Sequence, residues 1–139
     1  MGEARDLLDR MTEAMLRGDA DTLAHCYAED AVVVTPDQGE VSGRAAILDY
    51  FRPFFEAFSD IGWEEIQRHE AGNVAIDEGF FTGTHTAPLA NPGAEPIPAT
   101  GKRVRLRECD VATVADGRIT SHRMYFDQMD LMNQLGLTQ

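Results

Sequence analysis

Two alternating runs separated by Asp116-Gly117 constrain this chain more than any other feature. A type I′ turn needs φ > 0 at both central positions, which Asp-Gly tolerates. The pair therefore predicts a tight β-hairpin within residues 98–137, followed by a short closing helix. With Asp116 and Gly117 as the turn, Val114 is set against Ile119, Ala112 against Ser121, Asp110 against Arg123, Glu108 against Tyr125 and Leu106 against Asp127. Opposed residues share a face of the sheet. One face then carries Val104, Leu106, Ala112, Val114 and Ile119, with Glu108, Asp110, Arg123, Tyr125 and Asp127 set among them. An apolar face interrupted by polar groups is the pattern of a ligand cavity. A β-bulge between Arg107 and Thr113 would move half the strand to the other face, which holds Cys109, Val111, His122, Met124 and Phe126.

The remaining segments supply helices first and strands afterwards. Leu7, Leu8, Met11, Ala14 and Met15 recur at helical spacing in residues 3–17, with Gly18 as a stop and Asp19 as a cap for a second helix over about 20–28. Residues 31–35 form a β-branched strand ended by Pro36, with a turn at 37–39. Residues 43–58 form a third helix holding Tyr50, Phe51, Phe54, Phe55 and Phe58, kinked at Pro53. Two strands follow around Gly72-Asn73, with Trp63 among their burial candidates. Residues 86–101 hold four prolines and read as a loop at the mouth of a site or a plain surface excursion. Early helices and late antiparallel strands make an α+β domain with helices on one face of a curved sheet. All 139 residues form one domain.

Charge narrows the partners. A formal net charge of −12 argues against nucleic acid and anionic membranes, which recruit basic surfaces. The cluster Lys102, Arg103, Arg105 and Arg107 alternates with Val104 and Leu106, as one solvated or interface face of a strand does. Cys26 and Cys109 show neither a disulfide framework nor a CxxC spacing, His25, His69 and His122 show no metal-ligand spacing, and no glycine-rich phosphate loop is present. A cofactor-free, cytoplasmic protein is expected, since no leader-like apolar run opens the sequence.

YAEDAVVVTP early, GTH at 83–85, PATGKRV at 98–104, DGRI at 116–119, and Asp127 followed by Gln134-Leu135-Gly136 resemble the SnoaL-like polyketide cyclases of the nuclear-transport-factor-two-like superfamily. The resemblance implies a cone: a bent antiparallel sheet around a pocket, closed by N-terminal helices, usually as a homodimer. It implies cofactor-independent acid/base chemistry, an aldol-type cyclisation or isomerisation, on a small apolar or polycyclic carbonyl compound. Asp127 falls where those cyclases carry their acid/base. The stretch LAHCYAEDAVVVTP is also similar to ketosteroid isomerase, but Thr35 stands where that family has its base and Met11 where it has its oxyanion-donating Tyr. Only Asp110 matches there.

The expected catalytic set is thus Asp127 with Asp110 and Arg123, an Asp-Arg-Asp cluster. By analogy with limonene epoxide hydrolases, it could alternatively activate water. Tyr125, Glu108, His85 and Trp63 complete it as substrate-binding candidates. A noncatalytic binding domain is the third reading.

Overall fold

In the computed structural model, which describes residues 2–91 and 93–137, the elements are α1 (Glu3–Leu16), α2 (Ala20–His25), β1 (Tyr27–Thr35), β2 (Gly39–Ser42), α3 (Arg44–Ala57), β3 (Phe58–Ala71), β4 (Val74–His85), β5 (Arg103–Ala115), β6 (Arg118–Phe126) and α4 (Gln128–Gln134). The α+β class and the order of elements are as expected, with one addition. The four-residue β2 pairs with β1, where the sequence suggested only a turn.

Six strands form one curved, unclosed sheet in the order β2-β1-β6-β5-β4-β3. Most neighbours are antiparallel, but β1 runs parallel to β6. This one parallel pair requires the long crossover that α3 and the intervening strands provide.

Local chemistry explains the helices. Leu7, Leu8, Met11 and Ala14 of α1 are buried against the sheet, as their spacing requires. The N-terminus of α1 has no cap of its own. Glu70 of β3 supplies one, accepting from the backbone N–H groups of Gly2 (3.0 Å) and Arg5 (2.9 Å). Gly18 stops the helix at φ +67°, and Asp19 caps α2 by accepting from the Thr22 N–H at 3.0 Å.

The hairpin turn forms as read, with φ of 52° at Asp116 and 74° at Gly117. Its register does not persist. Val114 pairs with Ile119, but Thr113 pairs with Ser121, so Thr120 is an extra residue in β6. One inserted residue reverses the face of everything beyond it. Beyond the bulge Ala112 opposes His122, Val111 opposes Arg123, Asp110 opposes Met124 and Glu108 opposes Phe126. The bulge lies in β6 beside the turn, rather than in β5 between Arg107 and Thr113.

Candidate active site

The concave face of the sheet and the helices α1 and α3 enclose a hollow of about 100 Å³. Leu8, Met11 and Met15 of α1 close it on one side. Tyr50, Phe51, Phe54 and Phe55 of α3, with Phe58 at the start of β3, close it on another. The aromatic crowding of α3 is thereby accounted for: Tyr50 meets Phe51 and Phe54 edge to face, Phe51 stacks with Phe55, and the rings wall the hollow.

Against these apolar walls stands a chain of polar groups on the sheet. The Tyr27 hydroxyl is 2.7 Å from His122 Nδ1, and His122 Nε2 is 2.8 Å from Asp110 Oδ1. Glu108, two residues before Asp110 on the same face of β5, hydrogen-bonds to Asp110. Tyr27 and His122 are buried, while Glu108 and Asp110 keep partial access through the hollow that they line.

Burial sets the protonation of each group. It pushes the Asp110 carboxyl up to about 7, the donation from Glu108 restraining the rise, and pushes Glu108 well above the usual carboxylate range, with the Asp110 charge adding to the effect. Burial also pulls His122 down to about 4 and lifts the Tyr27 phenol. Near neutrality one proton arrangement satisfies these directions. Tyr27 donates to Nδ1, neutral His122 donates from Nε2 to Asp110, and protonated Glu108 donates to the same carboxylate. Two carboxyls side by side are driven apart in pKa, one towards a base and one towards an acid.

Two further groups face the hollow. Asp77 of β4 pairs with Asp110 across the sheet and meets Arg5 of α1 at 2.7 Å. Arg5 is buried and also holds Asp9 at 2.8 Å, so this pair fastens α1 over the site. Trp63 of β3 lies over Gly79. A Cβ on Gly79 would come within 2.7 Å of Trp63 Cζ2 and 2.9 Å of Cε2, and would strike the Glu64 carbonyl. Gly79 pairs with Glu108, and Trp63 and Glu108 both line the hollow. The indole Nε1, bonded to Cε2, is buried with no hydrogen-bond partner among the described residues.

The sequence-predicted residues divide cleanly. Asp110, Glu108 and Trp63 meet at the hollow. Arg123, Tyr125 and Asp127 do not: the Thr120 bulge turns all three to the outer face, where each is exposed. Asp127 caps α4, accepting from the Asp130 N–H at 3.1 Å. The Asp-Arg-Asp cluster therefore does not form, since Asp110 points to the opposite side of the sheet from the other two. His85 is wholly buried outside the hollow, where its Nδ1 accepts from the Thr100 N–H at 3.2 Å and pins the end of the proline-rich loop.

His122, Tyr27 and Asp77 were not predicted. One signal was legible: the apolar phase of the last strand moves from Ile119 to Met124 and Phe126, an odd-to-even change that demands an inserted residue. Among the described residues no group of three or more His, Cys, Asp or Glu side chains is arranged to hold a metal ion. No described helix is long and apolar enough to cross a membrane.

The model of the SnoaL-like domain family matches residues 8–122. None of the curated proteins matches the chain. Among solved structures, a candidate SnoaL-like polyketide cyclase from Jannaschia sp. CCS1 superposes with a TM-score of 0.83 at 15% identity, covering 99% of this chain and 94% of that one. AclR, a candidate hydroxylase from Streptomyces galilaeus, gives 0.80 at 23% identity, covering 99% and 98%. IdmH, a candidate polyketide cyclase from Streptomyces antibioticus, gives 0.77 at 24% identity, covering 97% and 99%. At these identities the likeness is one of fold.

Proposed function

Since the chain belongs to the SnoaL-like domain family, we propose that it is a cofactor-independent acid/base enzyme acting on a small apolar carbonyl compound, with Asp110 as base and Glu108 as acid. The observation that carries this reading is the carboxyl pair itself. Burial pushes Asp110 up to about 7 and Glu108 well above the usual carboxylate range, and the two lie side by side at the wall of an apolar hollow.

The chemistry follows from the proton arrangement. Ionised Asp110 takes a proton from the carbon beside the ligand carbonyl, and the C–H electron pair moves into an enolate. As Asp110 takes up the proton it no longer needs the Glu108 O–H, which turns to the developing oxyanion beside the unpartnered Trp63 N–H, in a water-poor site where such bonds count most. In an isomerisation, Asp110 returns the proton to a different carbon. In an aldol closure, the enolate carbon attacks a second carbonyl of the same molecule and the resulting alkoxide takes the proton from Asp110. Either route regenerates the carboxylate. His122 is a positioning residue: its Nε2–H fixes the orientation of Asp110, and Tyr27 fixes its tautomer.

Cyclohexanone, a single-ring ketone with exchangeable α-protons, is a small cyclic probe of this chemistry for the apolar hollow of about 100 Å³. Its α-protons should exchange for deuterium from D2O in the presence of the protein. Asp110→Asn should cut that exchange by roughly 10²–10⁴-fold. Equal rates for wild type and Asp110→Asn would dismiss Asp110 as base and favour a binding domain without catalysis.

A homodimer through the outer face of the sheet accompanies this proposal. Tyr125, Ile66 and Met129 are exposed apolar groups there, beside Arg105 stacked 3.6 Å over the Phe80 ring.

A further inference from the structure

A second hollow of about 480 Å³ adjoins the first, and Tyr50, Phe54 and Leu131 line both. It lies between α3, the turn joining β1 to β2, the proline-rich loop and the start of α4, and its chemistry differs from that of the inner hollow. Its lining includes Asp37, Asp49, Asn91 and Gln128 and, among the described residues, no Lys, Arg or His. The Gln128 Oε1 is buried without a hydrogen-bond partner among the described residues. Pro53, which also lines this hollow, has no N–H to give the Asp49 carbonyl four residues back in α3. Asp37 is partly engaged, accepting from the Tyr50 hydroxyl at 2.9 Å.

We infer that the ligand is bipartite. A single-ring or comparably small carbonyl head occupies the inner hollow, and a neutral or cationic tail bearing hydroxyl or amino donors occupies the outer one, passing between Tyr50, Phe54 and Leu131. Unpaired acceptors want donors, because a buried oxygen left unsatisfied forfeits its desolvation cost. Two carboxylates with no lining cation disfavour a carboxylate or phosphate tail. Arg52, 3.8 Å from Asp49 and itself about half exposed, offsets part of that charge, so the preference is moderate. The inference rests on the inner hollow being the ligand site, as proposed above.

Trp63 is the only tryptophan in the chain and lines the inner hollow, so its fluorescence reports occupancy of the head site. The probes are cyclohexanone and three 4-substituted cyclohexanones whose six-atom tails end in ammonium, hydroxyl or carboxylate. All should perturb Trp63, and at low salt the ammonium probe should bind about three- to tenfold more tightly than the carboxylate one. Asp49→Lys should abolish or reverse that ranking and leave cyclohexanone binding unchanged. Gln128→Leu should weaken the hydroxyl probe about fivefold, and the carboxylate probe by less. A carboxylate probe that binds as tightly as the ammonium one, or a ranking that survives Asp49→Lys, would overturn the inference while leaving the catalytic reading intact. Cyclohexanone failing to perturb Trp63 at all would instead remove the head site, and both proposals with it. Asp110→Asn should preserve the tail ranking, which separates binding from chemistry.

Discussion

Asp110 and His122, joined at 2.8 Å, exchange their ordinary order of acidity: burial raises the carboxyl to about 7 and lowers the imidazole to about 4. Between pH 4 and 6.5 the folded protein holds a proton on Asp110 that the unfolded chain has released. It also lacks one on His122 that the unfolded chain holds. Alone, the first effect makes stability fall as pH rises, and the second makes it rise, so together they cancel. Replacing either residue should expose the other. Asp110→Asn should gain stability relative to wild type as pH climbs from 4 to 6.5, and His122→Gln should lose it from 4 to 7, each by up to about 1.4 kcal/mol per pH unit. Urea unfolding at pH 4.5, 5.5 and 6.5 measures both, and parallel profiles would mean the pair is not balanced in this way.

The same carboxyl sets a kinetic profile. Deuterium exchange into cyclohexanone should rise with pH through about 7 as Asp110 ionises. Glu108→Gln keeps a donor to Asp110 and should hold that midpoint. Glu108→Leu removes the donor and should move the midpoint upward, because the bond favours the ionised form. A midpoint indifferent to Glu108→Leu would separate the two groups functionally.

Arg5 and Asp77, both almost fully buried at 2.7 Å, bind α1 to β4. Arg5→Met strands Asp77 and should cost about 3 kcal/mol at pH 7. The loss should be smaller at pH 5, where Asp77, its carboxyl already raised by burial, accepts a proton. Arg5→Met combined with Asp77→Asn should recover much of the difference in a chemical denaturation series. A double variant as unstable as Arg5→Met would assign the loss to packing of the arginine stem instead.

Gly79 is the floor on which Trp63 rests. Gly79→Ala places a methyl against the ring and the Glu64 carbonyl, so the indole must move. Trp63 emission should shift to the red and cyclohexanone binding should fall about tenfold, with circular dichroism of the sheet preserved. Unchanged emission would show that the ring does not lie where its N–H can serve the site.

Tyr125, 55% exposed on the outer face, tests the assembly. Tyr125→Glu should shift the sedimentation coefficient from dimer to monomer at micromolar concentration without altering the exchange chemistry on the concave side. A wild type that is monomeric across that range would remove the interface.

How far the sequence reads through to the site depends on distance from the hairpin turn. The turn, the caps at Gly18 and Asp19, the α1 stripe and the α+β order all follow from local spacing and φ preferences, and they stand. The face of each residue from Ser121 onward did not, because pairing by alternation assumes an uninterrupted ribbon and Thr120 breaks it. Glu108 and Asp110 kept their side because they belong to the unbulged strand. Arg123, Tyr125 and Asp127 exchanged theirs for His122, Met124 and Phe126. Tyr27 was invisible for another reason: it reaches His122 through a parallel pairing of strands ninety-odd residues apart, which no local pattern encodes.

That parallel pairing also dictates when the molecule can be finished. β6 follows β1 only after all the other described strands and lies between β1 and β5, so β1 has no partner on that side until β6 has left the ribosome. Until then the β1–β2 hairpin offers a bare, valine-rich margin to whatever is nearby. Nascent chains stalled before residue 118 should accordingly be clients of cellular chaperones, and the Tyr27–His122–Asp110 chain of hydrogen bonds can close only after β6 has joined β1.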